Sequence, residues 1–160
     1  MSNLGDVLAG RTWFRVLVTG SRTWTDQAAI FAALDGVLRE HQMVTVVHGA
    51  CREGADLMAQ EWVIRNSHNC AGMIQAEPHP ADWKTHGKSA GFIRNAEMVA
   101  AGAHCCLAFI LPCADPRCHR TQPHGSHGAT HCADHADRAG IEVRRYAAAA
   151  EPRGGRVAPG

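Results

Sequence analysis

The 160-residue sequence has almost no charge imbalance: 16 Lys and Arg stand against 15 Asp and Glu, a formal net charge of +1. A nucleic-acid backbone or an anionic membrane surface would therefore have to be held by a local basic patch, because bulk electrostatics supplies no attraction. Aromatic residues are scarce, 6% of the chain with a single Tyr, so the base-stacking platform of a single-strand-binding surface is also missing. No run of about 18 consecutive apolar residues occurs, as a spanning helix would need, and residues 1–12 lack an apolar stretch of signal-peptide length. The protein is accordingly expected to be soluble and cytoplasmic, with no membrane partner and no nucleic-acid partner. An even cysteine count is lacking too. There are seven, and Cys105 and Cys106 fall inside an apolar run, which argues against a disulfide framework.

What the chain does have is 46% hydrophobic content, enough to bury one core, in a length too short for two ordinary domains. The apolar residues alternate between two patterns. Phe14 to Thr19 (FRVLVT), Met43 to Val47, Met73 to Ala76, His104 to Leu111 and Ile141 to Tyr146 are short β-branched or apolar runs that read as buried strands. Between them lie stretches of helical spacing. Ile30, Phe31, Leu34, Val37 and Leu38 recur after a Thr25 expected to serve as N-cap, Ala55, Met58, Ala59 and Trp62 follow Gly54, and further helices are expected at Ser89 to Ala101 and Gly128 to Ala139. Strand and helix in alternation imply right-handed crossovers, hence an α/β Rossmann-like three-layer fold with a mostly parallel sheet of about five strands. Residues 14–146 form the expected domain, 1–13 an N-terminal extension, and 147–160 a disordered tail.

In such sheets ligands lie beyond the carboxyl ends of the strands, where helix N-termini can hold an anion. Three glycine-bearing loops meet that description: Gly20-Ser21-Arg22-Thr23, the turn from His48 through Gly49, Ala50 and Gly54 to Asp56, and Gly125-Ser126-His127-Gly128-Ala129-Thr130. One such loop alone is often only the geometry of a strand-to-helix connection; three together suggest that a ligand approaches the backbone. Ser21, Arg22, Gly125, Ser126 and Thr130 are expected to share one anion-binding crevice, on the expectation that the first and fourth strands are neighbours where strand order reverses. Gly87-Lys88-Ser89 looks like the end of a phosphate-binding P-loop. The glycine needed five residues earlier is Asp82, so the motif is rejected, although Lys88 is retained as a candidate ligand contact.

At Val18 to Arg22, Val47 to Ala50 with Gly54 to Asp56, Trp83 through Gly91 to Arg94-Asn95, and Gly125 to Thr130, the chain resembles the SLOG superfamily, the Rossmann-like group that unites DprA-type and LOG-type proteins. Within it the resemblance is to the cpYpsA-related, YspA-like branch. It implies binding of a nucleotide or nucleotide derivative, as in a sensor, with Asn95 beside Arg94 in the site. LOG-type relatives cleave the base from a nucleoside monophosphate with a helix-borne arginine, matched by Arg94, and a glutamate following a glycine-rich motif. Here that motif is altered to His124-Gly125-Ser126-His127-Gly128-Ala129 and the glutamate position falls at Cys132, leaving Glu97 and Asp56 as the nearby acids. Catalytic residues therefore stay unassigned, and no cofactor is expected.

Other readings of the same residues remain. The chain could instead hydrolyse a nucleotide N-glycosidic bond. Cys113, Cys118, His119, His124, His127, His131 and Cys132 crowd into one segment and could form a zinc centre, but Cys113-x4-Cys118 is wider than a zinc knuckle, so no metal ligand is assigned. DNA binding is recommended only by the DprA link. Trp24 and Trp83, in expected loops, could each stack on a base or cap the following helix. A homo-oligomer is left open.

Overall fold

The computed structural model describes residues 12–68 and 73–148, so all but four residues of the expected extension and tail lie outside the described residues. Five strands, β1 (Phe14–Gly20), β2 (Val44–His48), β3 (Ile74–Pro78), β4 (Cys105–Phe109) and β5 (Glu142–Tyr146), form one sheet in the order β3-β2-β1-β4-β5, parallel throughout. Five α-helices connect them: α1 (Gln27–His41), α2 (Gly54–Ser67), a single turn α3 (Trp83–His86), α4 (Ala90–Ala101) and α5 (His127–Arg138), with a 3₁₀ turn at Gly87–Ser89 between α3 and α4. This is a Rossmann-like α/β architecture. The strand order reverses between β1 and β4.

Every residue of β2 and β4 is buried, as expected of strands covered on both faces. The two-residue period of a strand then divides the core. Val16, Val18, Val44, Val46, Leu107 and Phe109 pack with Ile30, Leu34 and Val37 of α1 and Ala55, Ala59 and Trp62 of α2. Leu17, Val47, Cys106 and Ala108 face the other way, onto Met98 and Val99 of α4 and Cys132, Ala133 and Ala136 of α5. Each fully buried large aliphatic side chain contributes about 1.5–3 kcal/mol. Trp62 is fully buried and donates its indole N–H to Asp35 at 2.8 Å, so its single polar atom is satisfied. Burial pushes the Cys105 and Cys132 thiols up to about 11 and the Cys106 thiol higher still. All three act as small core hydrophobes. The cysteines among the described residues are free thiols.

Local chemistry shifts several expected boundaries. The N-cap of α1 is Asp26, not Thr25: its carboxylate accepts the Ala29 N–H at 3.0 Å, a stronger acceptor than a hydroxyl. The fourth strand spans Cys105–Phe109, shorter than expected at both ends: the Leu111 N–H leaves the sheet for Ser21 Oγ, and at the start the Arg15 N–H is taken by the His104 ring Nδ1 rather than by a strand carbonyl. The outer strand β5 is mostly exposed and carries Arg144 paired to Glu142 and Arg145 paired to Asp134 and Asp137, charges that discourage further strand pairing at this edge. No helix among the described residues is long and apolar enough to cross a membrane.

Candidate functional site

The loops that leave the carboxyl ends of β1, β2 and β3 enclose a cleft of about 450 Å³, lined by Arg22, the segment Gly49 to Glu53, Pro80, Ala81, Trp83 and Arg94. The turn at its base depends on two glycines. Gly49 has no room for a side chain: a Cβ there would overlap the Arg94 guanidinium and lie 2.8 Å from Asp56 Oδ2. Gly54 has a φ of +68°, and a Cβ would lie 2.6 Å from Arg22 Cα, so it is needed both for conformation and for the close crossing of the β1–α1 loop. Between them Ala50 adopts a φ of 54°, a left-handed conformation that is unfavourable for alanine.

Arg94 projects from α4 back toward the strand ends. Its Nη1 donates to the carbonyls of Gly49 and His79, the latter at 3.4 Å, and its Nε donates to Asn95 Oδ1 at 3.0 Å. Nη2 has no hydrogen-bond partner among the described residues. Behind Gly49 lies Asp56, buried, with Oδ2 accepting the Cys51 N–H at 3.2 Å. Desolvation raises its affinity for a proton, and His48, Arg94 and Arg22 act in the opposite direction. His48 is itself buried; its Nδ1 accepts the Ala50 N–H at 3.1 Å, so in the neutral ring Nε2–H donates to Gln60 at 2.8 Å. On the opposite wall Trp83 is 49% exposed, with the Arg22 guanidinium 5.7 Å from its ring centre. Glu53 caps α2 without a side-chain hydrogen bond, leaving the first N–H groups of that helix without a side-chain acceptor beside the cleft.

The expected single crevice is divided. Arg22, Gly49, Ala50 and Arg94 line the cleft just described. Gly125, His127 and Thr130 line a second one of about 310 Å³, together with Phe92, Arg120, His124, His131, Asp134 and Arg138. Ser21 and Ser126 meet at the β1/β4 switch point with hydroxyls 2.6 Å apart, and Ser21 Oγ also accepts the Leu111 N–H at 2.8 Å. Ser21 is buried, and its hydroxyl oxygen is engaged in holding loops together. Gly20 serves packing, since a Cβ there would lie 2.8 Å from the Phe109 carbonyl oxygen. Asn95 is buried and ties α4 to α5 by donating to Gly128 O at 3.1 Å. Ala129 is in the core, and Lys88 is exposed and lines neither cleft. The Thr130 hydroxyl is buried without a hydrogen-bond partner among the described residues. Trp24 is 2% exposed, packs edge-on against Phe109 and donates to Asp26 O; it belongs to the core and is no stacking surface. Cys132, expected where LOG-type relatives carry glutamate, is wholly buried, and Glu97 is exposed on α4.

Pro80 and Ala81 were not foreseen as part of the site. They follow β3, whose weak apolar run gave little reason to count its loop among the ligand-facing ones. Of the seven Cys and His residues singled out, Cys113, Cys118, His124 and His127 come together, with one donor atom from each within 4.8 Å of the others. His119 is exposed, and His131 packs edge-on against Phe92.

A family model described as YspA, cpYpsA-related SLOG family matches residues 14–86, β1 through α3. Gene 61 protein of Mycobacterium phage D29 is 43% identical over 133 residues, which cover 82% of this chain and 95% of that protein. No solved structure matches.

Proposed function

Because the chain belongs to the YspA, cpYpsA-related SLOG family, a nucleotide-related Rossmann-like group, we propose that it binds a nucleotide or nucleotide-derived phosphate ligand, as a sensor-type module, in the cleft over β1, β2 and β3. The observation that carries this reading is the lining of that cleft: Arg22, Arg52 and Arg94 around one opening, with Glu53 the one acidic side chain among them. A guanidinium held on one edge by backbone carbonyls and free at Nη2 is preorganised to donate to a phosphate. The uncapped start of α2 adds backbone donors. Trp83 offers an aromatic face for a base or ribose. The remaining candidates from the sequence, Gly125 to Thr130, would act from the second cleft or by shaping the first.

A thermal-shift panel of nucleoside monophosphates, ADP-ribose and NAD, with adenosine and inorganic phosphate as controls, tests the proposal. A ligand present at about 100 times its dissociation constant stabilises by about 2.7 kcal/mol, or about 5–10 °C for a chain of this size. Phosphorylated compounds should shift the midpoint and adenosine should not. A flat response across the panel overturns the reading.

Asp56 favours a second reading. A buried carboxyl with raised proton affinity beside an arginine is a candidate general acid, which suits hydrolysis of an N-glycosidic bond. Free base released from a nucleoside monophosphate or NAD would support it, and its absence with a bound ligand would leave the module a binder.

A further inference from the structure

We propose that Cys113, Cys118, His124 and His127 bind a zinc ion in a closed tetrahedral site that pins the β4–α5 loop to the start of α5. The donor set and its dimensions carry the inference. Cys118 Sγ lies 3.3 Å from Nε2 of His124 and 3.3 Å from Nε2 of His127, and the two Nε2 atoms are 3.2 Å apart. A tetrahedron built with ordinary zinc–nitrogen and zinc–sulfur bonds has edges of about 3.3 Å between nitrogens and about 3.5 Å between nitrogen and sulfur. Cys113 completes the set, its donor within 4.8 Å of the other three. Two thiolates and two imidazoles in this geometry select zinc over the harder divalent ions.

The surroundings orient the ligands. His124 Nδ1 is 2.9 Å from Gln122 O, and a carbonyl can only accept, so Nδ1 carries the proton and Nε2 of the neutral ring presents its lone pair to the other donors. Three groups converging on one point cannot all satisfy one another as hydrogen-bond partners; a cation at that point satisfies them together. Backbone bonds bring the ligands there. Cys113 N–H donates to His124 O at 2.8 Å and Ser126 N–H to Leu111 O at 2.9 Å, forming a narrow neck around the Pro112–Gly125 bridge. Beyond the neck, Asp115 accepts the Arg117 N–H on its side chain and the Cys118 N–H on its carbonyl, reversing the chain so that Cys118 returns.

Residues 110–126 far exceed the usual connection of about 4–6 residues. Residues 114–117 and 119–123 are exposed, so the loop has no apolar core to hold it, the circumstance in which a metal supplies the fixing energy. Four protein ligands leave no open coordination position, so the ion is structural and activates no water. Since His127 is the first residue of α5 and Ser126 contacts Ser21, the ion also anchors the loop that closes the switch point. The site lies beyond residues 14–86 that the family model matches, and none of its four ligands lines the larger cleft in which the nucleotide reading places the phosphate.

The test uses the full-length chain, expressed in zinc-supplemented medium and purified under reducing conditions, with metal content measured by inductively coupled plasma mass spectrometry. Wild type and His119→Ala should each carry about one zinc ion per chain, and Cys118→Ser and His127→Ala less than about a fifth of that. Cobalt(II) exchanged into the wild-type protein should give the intense visible bands of a tetrahedral ion and a near-ultraviolet thiolate charge-transfer band, a reading that does not depend on any variant folding. Zinc-free wild type with a weak octahedral cobalt spectrum would overturn the proposal. So would loss of zinc in His119→Ala comparable to that in Cys118→Ser.

Discussion

Replacing Arg94 with alanine removes a cation that faces the larger cleft and is tied by Nη1 to the Gly49 and His79 carbonyls and by Nε to Asn95. Two effects follow, and they can be separated. The lost tethers are net hydrogen bonds of about 0.5–1.5 kcal/mol each, some of them replaced by water at the open cleft. The expected destabilisation is about 1–2 kcal/mol, a fall of about 2–8 °C in Tm, and the variant should remain folded at 25 °C. The lost phosphate contact is charge-assisted and is worth about 1.5–3 kcal/mol, which lowers affinity about 10- to 150-fold. Isothermal titration at 25 °C with the tightest nucleotide of the panel, and with its unphosphorylated nucleoside, reads the second effect directly. The nucleotide should weaken in Arg94→Ala while the nucleoside is unchanged. Arg94→Lys should recover only part of the loss, because an ammonium cannot hold two carbonyls and a phosphate with one planar fork. Equal nucleotide affinity in wild type and Arg94→Ala would remove Arg94 from the site and with it the main support for placing the phosphate there.

Gly49→Ala should displace the Arg94 guanidinium, since the new methyl would meet it and Asp56; its titration should resemble that of Arg94→Ala, and unaltered binding would refute the role given to this glycine. Ala50→Gly relieves a left-handed alanine and should raise stability by about 0.5–1 kcal/mol in urea unfolding; a loss would show that the Ala50 methyl matters more than the strain. The Glu77 carboxyl, held by hydrogen bonds and charge from Arg15 and by His79, is pulled down to about 2 from its ordinary 4.5. Its pairing is therefore fully present above pH 4.5 and disappears as pH falls from there through about 2. With the carboxylate side chain 35% exposed, solvent screening limits the contribution to about 1 kcal/mol. Glu77→Gln should melt about 2–4 °C below wild type at pH 7 and converge with it near pH 2, whereas a gap independent of pH would assign the effect to packing.

The alternation of buried strands and helices was legible because strands covered on both faces are apolar at successive positions: Cys105 to Phe109 is wholly so, and Val44 to Val47 is interrupted only by Thr45. Arg22 could be nominated from its place in the loop after the first strand, whereas Arg94 was nominated only by the resemblance to the helix-borne arginine of LOG-type proteins. Trp24 stayed open between two readings because an indole in a loop can turn either way; only the position of Phe109 shows that it turns inward. Ser21 and Ser126 misled because a hydroxyl offered to a ligand and one offered to another loop look alike in sequence, and their partner lies across the switch point.

Composition and periodicity by themselves determined a parallel α/β core, because it depends on a local pattern repeated along the chain, and with it the carboxyl edge of the sheet where the glycine-bearing loops gather. The division of that edge into two clefts, the free Nη2 of Arg94 and the meeting of Cys113, Cys118, His124 and His127 were decided only by the tertiary structure. The spacings of those four residues match no tandem knuckle. It is the antiparallel neck at Pro112 and Gly125, a pairing between residues distant in the loop, that folds them onto one point.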